Sequence, residues 1–506
     1  MKKKLILLIL LLLTISVGVT YAIFKWTSTN SDITFNIEGC YVTYNGGSNI
    51  SGASFGPALS KNDTNNVISK KISMTPECAG VTANLTLKVD SIDDGLKEQS
   101  FIYELYDGTS KIANGNFADA TTGKIYNLLN TKTLTKDTTQ KYTLYIYIDG
   151  NQDNPTTMGG QSFSFTLGAS GENALYKEPP ASKYIEGLDD GTTGDSGSGV
   201  YKVEHDAIAS SNSATGSEIP AVTDYRYYGA NPNNYICLDM EGGSTCPDKH
   251  LYRIIGSIYE EKENANRIKV IKATPLTDGT TSAFSWDYKV NNGKGSYDNI
   301  WATITSGNYS NSLTSVSQLM KLLNSGAWWN GTSGSYYNES TTATSVNFTN
   351  YKLSDKAKSY ITTSRYYLGG YNNTPPLTNE MYGYERGTRR YDTSRPLYWD
   401  GMVGLMYPSD YGYAAGNTCV TGTKLVNYDG GCMNKDWLYI SNTYQWLMSP
   451  YSGFSGRAFL VRYSGYVIYG TYDVCDAFSA RPVFFLNSSA SISEGEGSST
   501  NPYILS

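Results

Sequence analysis

Apolar and polar side chains alternate along much of residues 26–172. Ala83, Leu85, Leu87 and Val89 alternate with polar residues, and the same period recurs within 33–37, 142–148 and 163–167. A period of two places the apolar side chains on one face of a strand. Pairs such as Asp107-Gly108 supply turn residues that tolerate positive φ. We therefore predict an antiparallel β-sandwich over 26–172.

The rest of the chain has a mixed pattern. Residues 173–200 include Pro179-Pro180 and many glycines, which predicts a flexible linker. Residues 201–490 carry strand-like runs at 251–255 and 267–271. Helical spacing joins Leu313, Val316, Met320 and Leu323, and Ser354 is expected to cap a second helix. We predict one α+β domain over 201–490 and a short C-terminal segment over 491–506.

The N-terminus combines three lysines with an unbroken apolar run from Leu5 to Leu13. This is the pattern of a secretory signal peptide over residues 1–25, with cleavage after Ala22. An uncleaved signal anchor is the alternative, because 5–24 is long enough to cross a bilayer. In both cases the protein lies on the extracellular side of the cell surface, either secreted or held in the membrane by its N-terminal segment.

Seven cysteines suit that location. They suggest three local disulfides, with free thiols as the alternative. The candidate pairs are Cys40 with Cys78, Cys237 with Cys246, and Cys419 with Cys432, which leaves Cys475 over.

Composition excludes several classes of function. The 506 residues include 40 Lys+Arg and 46 Asp+Glu, and this acidic balance argues against a nucleic-acid partner. With His205 and His250 as the only histidines, a three-histidine zinc site is impossible, and no Gly-x-Ser-x-Gly elbow occurs. Asp410 and Asp436 lack the acidic neighbours of a calcium loop. We predict no catalytic residues, no metal and no cofactor, hence not an enzyme.

Tyrosine supplies 44 of the 66 aromatic residues. A buried tyrosine hydroxyl needs a hydrogen-bond partner, so many of these rings are expected at the surface. Residues 451–479 mix Tyr, Ser, Gly, Asp and Arg, the composition of antibody contact loops. The predicted ligand-binding residues are Tyr451, Phe454, Arg457, Arg462, Tyr463, Tyr469, Tyr472, Asp473, Asp476 and Phe478. The alternatives are an ordinary loop surface and a stretch diversified between sister cells.

Four tryptophans and the two histidines are not expected to form a binding site. Trp301, Trp399, Trp437 and Trp446 are expected in the core, and the two histidines are expected to be structural or incidental.

Four sequence pieces carry a resemblance to a known group. They are residues 225–235, 404–413, 444–450 and 480–486, followed by the closing 495–503. Together they resemble an uncharacterised family of surface proteins of Gram-positive, gut-type bacteria. The C-terminal part of that family is similar to the C-type-lectin-like fold of formylglycine-generating enzymes, whose active-site cysteines this chain does not match. Residues 20–24 running into the predicted sandwich resemble secreted proteins of the TasA/camelysin type.

These resemblances imply a mainly β protein with an N-terminal antiparallel β-sandwich, a linker and a C-type-lectin-like α+β domain. Together with the Tyr-rich composition of 451–479, they lead us to expect adhesion or recognition, in which the face at 451–479 binds an extracellular protein or glycan. The alternative is a structural matrix or fibre subunit that polymerises through the N-terminal sandwich. The ligand and the oligomeric state are left open.

Overall fold

The structure is a computed structural model of the chain. It describes residues 25–27, 40–46, 50–53, 56–63, 66–153, 158–176, 179–189, 191–287, 317–340, 342–391, 393, 395–454, 456–469 and 472–505. Within these residues the protein is mainly β, with several antiparallel sheets, as the sequence predicts. The chain divides into two compact units, residues 1–179 and 180–506.

The first unit contains two sheets. The strands are β1 (Lys25–Thr27), β2 (Tyr41–Asn45), β3 (Ile50–Ala53), β4 (Pro57–Ala58), β5 (Val67–Pro76), β6 (Thr82–Ile92), β7 (Phe101–Asp107), β8 (Ser110–Asn116), β9 (Ile125–Thr133), β10 (Gln140–Asp149), β11 (Ser162–Glu172) and β12 (Leu175–Tyr176). One sheet has the order β1-β11-β6-β9, with β3 also on β11. The other has the order β12-β2-β5-β10-β7-β8, with β4 also on β10. All of these pairs are antiparallel except β4 with β10 and β12 with β2.

The predicted alternation explains the core of this unit. Leu85 and Leu87 on one sheet and Leu105 and Leu144 on the other are completely buried in a single cluster. Gly108 follows β7 with φ of +57°, a conformation that suits glycine in a tight hairpin. The predicted strand at 33–37 lies outside the described residues.

The second unit is built on an eight-stranded sheet. Its strands are β13 (Gly199–His205), β14 (Val222–Tyr228), β15 (Tyr235–Cys237), β16 (Leu251–Glu260), β17 (Ala265–Lys272), β27 (Val483–Phe485), β28 (Ile492–Glu494) and β29 (Tyr503–Leu505). The order is β13-β14-β16-β15-β29-β28, and β17 joins β16 to β27. The predicted strands at 251–255 and 267–271 are confirmed. Residues 492–494 and 503–505, within the predicted C-terminal segment, belong to this sheet as β28 and β29.

Small sheets and short helices surround that sheet. The remaining strands are β18 (Phe284–Ser285), β19 (Ser333–Tyr336), β20 (Thr344–Asn347), β21 (Ser364–Tyr367), β22 (Tyr398–Gly401), β23 (Gln445–Pro450), β24 (Ala458–Val461), β25 (Val467–Ile468) and β26 (Ala477–Phe478). The helices are α1 (Ala181–Glu186), α2 (Gln318–Asn324), α3 (Ala327–Asn330), α4 (Asp355–Ser359), α5 (Thr378–Glu385), α6 (Pro408–Ala414), α7 (Asn417–Gly422) and α8 (Gly430–Met433).

Two helix predictions can be compared with these bounds. Met320 and Leu323 lie in α2 as predicted, whereas Leu313 and Val316 lie outside the described residues. The side chain of Ser354 accepts a hydrogen bond from the backbone N–H of Ala357, so the predicted N-cap of α4 is confirmed.

The segment predicted as a flexible linker, 173–200, is folded at both ends. Ala174 is buried in the core of the first unit, while Tyr184 and Ile185 of α1 are buried in the core of the second. This differs from the prediction because the apolar residues of the segment find cores to pack against, which its glycine content does not reveal.

The buried tyrosines correct a second expectation. Of the tyrosines that the structure describes, eighteen belong to the buried core residues, so the interior accepts far more of them than predicted. Backbone carbonyl oxygens supply the partners of several of them. The Tyr366 hydroxyl lies 3.2 Å from the carbonyls of both Met402 and Val483, and the Tyr428 hydroxyl donates to the Gly412 carbonyl at 2.6 Å.

The predicted cysteine pairs and most of the predicted buried tryptophans agree with the structure. The three predicted pairs are the disulfides Cys40–Cys78, Cys237–Cys246 and Cys419–Cys432, and Cys475 lies outside them. Trp399, Trp437 and Trp446 are buried as predicted. Trp301 lies outside the described residues.

The predicted signal peptide or anchor covers 1–25, of which 1–24 lie outside the described residues. Among the helices that the structure does describe, none has the length and apolar character needed to cross a bilayer.

Candidate functional site

The predicted binding stretch is carried by a small sheet of three strands in the order β23-β24-β25. All residues of β23 and β24 are buried, which fixes the sheet in the core of the second unit. The predicted residues lie in the connections between these strands and in β26. Strand β26 pairs with β18, and this pairing anchors the far end of the stretch.

Four aromatic rings gather beside this sheet, and we call them the tyrosine cluster: Tyr444, Tyr463, Tyr472 and Phe478. The Tyr444 ring stacks on Phe478 at 5.1 Å between centroids and meets Tyr463 and Tyr472 edge-on at 5.3 and 5.2 Å. Beneath them the buried Trp446 meets Phe478 at 5.0 Å. The cluster therefore rests on a rigid base.

Hydroxyl groups tie the tyrosine cluster together. The Tyr444 and Tyr472 hydroxyls are hydrogen-bonded at 2.9 Å, and this bond is the largest cause that raises the pKa of Tyr472. The Tyr439 hydroxyl donates to the backbone carbonyl of Tyr463. These bonds hold the rings in place without a ligand, which lowers the entropy cost of binding one.

A second aromatic group lies around Tyr451 and Tyr469, whose rings stack at 4.6 Å. The backbone of Tyr451 bridges to that of Tyr371, and Tyr371 stacks on Tyr384 at 4.2 Å. The guanidinium of Arg389 lies 5.3 and 5.2 Å from the centroids of these last two rings. This group extends the aromatic surface beyond the predicted stretch.

The predicted charged residues have internal partners. Arg457 lies 5.0 Å from the Phe454 ring, and its Nε is 3.4 Å from Oδ1 of Asp473. The Asp476 carboxylate accepts a hydrogen bond from the Asp473 backbone N–H at 2.8 Å. The two aspartates thus shape the turn before β26 as much as they offer charge to a ligand.

Exposure separates the predicted residues into two sets. Phe454 and Tyr463 are exposed, each at 41%. The other eight are half-buried, and Tyr451, Tyr469, Tyr472 and Phe478 pack partly against the core. The structure brings Arg462, Tyr463, Tyr472 and Phe478 together and groups Tyr451 with Tyr469. Tyr371, Tyr384, Arg389 and Tyr444, not predicted as site residues, complete the surface.

A buried charge network lies elsewhere in the second unit. Asp410 is paired with Lys269 and Arg226, and Arg226 also contacts Asp224, all with side chains at most 2% exposed. His205 lies 2.9 Å from Asp224, and burial is the main cause that lowers its pKa. Because solvent does not reach these groups, the network is structural and so is His205.

One group of side chains has the composition of a metal site. Potential ligand atoms of Asp239, Glu241 and His250 lie within 4.8 Å of one another. Their oxygens already have partners, however. Lys249 pairs with Glu241 at 2.8 Å, and Asp239 accepts from Ser354 and from the Glu241 backbone. The lysine supplies the positive charge that a cation would bring, so these residues favour a structural role.

Comparisons with known proteins do not assign the chain to a family. No protein-family profile matches the chain, and no curated protein is significantly similar to it.

Proposed function

We propose that this chain is an extracellular recognition protein, secreted or anchored to the cell surface, which binds an external protein or glycan. The observation that carries the proposal is the tyrosine cluster, with the exposed Tyr463 on a rigid aromatic base. Tyrosine offers a wide amphipathic contact at low entropy cost, and such rings dominate binding energy at interfaces. Three disulfides suit an oxidising, extracellular location.

In this proposal the first unit is a β-sandwich stalk and the second a C-type-lectin-like head. Two mainly antiparallel sheets around one core support the sandwich. A central sheet surrounded by loop-rich small sheets supports the lectin-like comparison, although fold alone does not assign function.

Arg462 adds a charged anchor to the tyrosine cluster. Its guanidinium lies 4.9 Å from the centroid of Tyr463, and within the described part of the chain no carboxylate lies within ion-pair distance of it. Arginine stacked on tyrosine is a frequent centre of binding energy. The same loops would be the place for diversification between sister cells, which sequencing of codons 451–479 across such cells would detect.

The test exploits the difference in exposure. Fluorescently labelled protein is applied to bacterial cells and to mucin-coated surfaces, and Tyr463→Ala is compared with Tyr391→Ala. Tyr391 is also an exposed tyrosine, at 50%, but lies outside the tyrosine cluster. We expect Tyr463→Ala to reduce binding about tenfold or more and Tyr391→Ala to leave it unchanged. Equal binding by both variants, where the unmodified protein binds, would refute the proposal.

Truncation of the half-buried tyrosines is expected to affect stability as well as binding. The sequence alone suggests that Tyr463, Tyr469 and Tyr472 can all be replaced by alanine without loss of stability. Tyr469 and Tyr472 pack against the core, so their truncation is expected to lower the melting temperature. Tyr463→Ala is therefore the variant that separates binding from folding.

A fibre subunit is the second candidate, because both sheets of the first unit end in exposed strands. Strand β8 ends one sheet and β9 the other, and most of their residues are exposed. Ile112 and Ile125 expose 43% and 55% of their surface on these strands. Such edges can pair with another copy. Filaments of purified 26–506 in the electron microscope, lost in Ile125→Lys, would favour this function.

A further inference from the structure

A cleft of about 540 Å³ opens in the second unit, where α1 faces strands β14, β16 and β17. Its residues do not overlap with the tyrosine cluster. The volume is within the range of small-ligand sites.

Two tyrosines line the cleft from the same face of the sheet. Tyr225 on β14 pairs with Ser257 on β16, and Tyr259 follows two positions later on β16. Residues two apart on a strand point to the same side, so both rings belong to one wall. Both are half-buried. Each therefore keeps part of its amphipathic ring available for contact.

Two asparagines are held so that half of each amide remains available. The Oδ1 atom of Asn264 accepts from the Tyr259 hydroxyl at 2.9 Å, which leaves its NH₂ group as a donor. The Nδ2 atom of Asn266 donates to the Thr223 carbonyl at 2.8 Å, which leaves its Oδ1 as an acceptor. Among the described residues these remaining groups have no partner. A sugar hydroxyl donates and accepts at once, and this pair offers both functions.

The charges in the cleft cancel. Lys183 and Glu186 form an ion pair at 2.7 Å, and Glu186 also accepts from Ser257. Among the residues that line the cleft, no other carries a formal charge. A charged ligand would have to compete with this pair, whereas a neutral one would not.

We propose that this cleft is a binding site for a neutral saccharide, separate from the tyrosine cluster. The tyrosines contact the apolar faces of sugar rings, and Asn264 and Asn266 bind neighbouring hydroxyls. The site does not depend on what the tyrosine cluster binds.

Saturation-transfer NMR on the full chain tests this site. The neutral probes are maltotriose and triacetylchitotriose, and the charged probe is trigalacturonate. We expect transfer to at least one neutral probe and weaker or no transfer to the charged one. No transfer to either neutral probe at about 10 mM, or tighter binding of trigalacturonate, would overturn the proposal.

Matched variants assign any binding to the cleft. Asn266→Ala and Asn264→Gly should each weaken it about fivefold, since each removes one hydrogen bond. Glycine is used at 264 because that residue has φ of 50°. Asn231→Ala, an exposed asparagine outside the cleft, should leave it unchanged. Undiminished binding by both cleft variants, or an equal loss with Asn231→Ala, would place the saccharide elsewhere and refute the assignment.

Discussion

Removal of the charge of Asp410 is expected to destabilise the second unit strongly. Its carboxylate accepts from Lys269 Nζ at 2.5 Å, from Arg226 Nη1 at 3.0 Å and from the Tyr407 backbone N–H at 3.0 Å. The side chain is 1% exposed. Asp410→Asn keeps the shape but leaves Lys269 buried without a described carboxylate partner. Breaking a buried ion pair in this way costs about 3–5 kcal/mol.

Lys269→Met and the double variant complete a thermodynamic cycle. Lys269→Met leaves Asp410 paired with Arg226, so we expect it to cost less than Asp410→Asn. The double variant should cost less than the two single changes added together, because the charges that each change leaves unpaired are removed together.

Urea unfolding followed by tryptophan fluorescence measures these free energies. Trp26 is the only tryptophan before residue 180, among eight in the chain, so the signal reports mainly on the second unit. A cost below about 1 kcal/mol for Asp410→Asn, or full additivity in the cycle, would show that the network contributes little and refute the reasoning.

Three further changes test other parts of the structure. Burial raises the pKa of Glu385 to about 7, so the folded state keeps a proton that the unfolded state loses near pH 4.5. The free energy of unfolding should therefore fall as the pH rises between these two values. In Glu385→Gln, the free energy measured by urea unfolding should depend less on pH over this range. Replacement of Cys40 and Cys78 by alanine opens a loop of 38 residues and should cost the first unit about 4 kcal/mol in calorimetry, whereas no shift would contradict the bridge. Ser354→Ala removes the cap of α4 and should cost about 1 kcal/mol in urea unfolding; Ser354→Thr, which keeps the hydroxyl, should recover most of it.

The local pattern of apolar residues is sufficient to predict the strands, but not the structure of the segment 173–200. Leu85 and Leu87 reveal their buried face because a strand alternates every second residue, independently of its neighbours in space. Tyr184 and Ile185 lie among glycines and prolines, and the composition of this segment does not show which surface they pack against. Only the assembled sheet of the second unit provides the surface on which α1 packs.

The candidate site shows the same limit. The stretch 451–479 could be selected from its Tyr, Ser and Gly content, since that content is local. Tyr371 and Arg389 join the surface from a region about 60 to 80 positions earlier in the chain, through the bridge from Tyr371 to Tyr451. Nothing in the sequence around them predicts this contact. Tyr444 lies only seven positions before the stretch. Because it directly precedes the buried strand β23, the local sequence does not indicate that its ring joins the cluster.

The number of tyrosines in this chain does not by itself indicate a tyrosine-rich surface. A domain rich in loops leaves many backbone carbonyls outside strand ladders, and each one that is buried needs a donor. Tyr411 donates to the Gly465 carbonyl and Tyr336 to the Ser285 carbonyl, so tyrosine supplies donors as well as apolar volume to this interior. A high tyrosine count is therefore compatible with an ordinary core. Recognition by this chain, as proposed, depends on the exposed ring of Tyr463 and its neighbours, and not on how many tyrosines the chain contains.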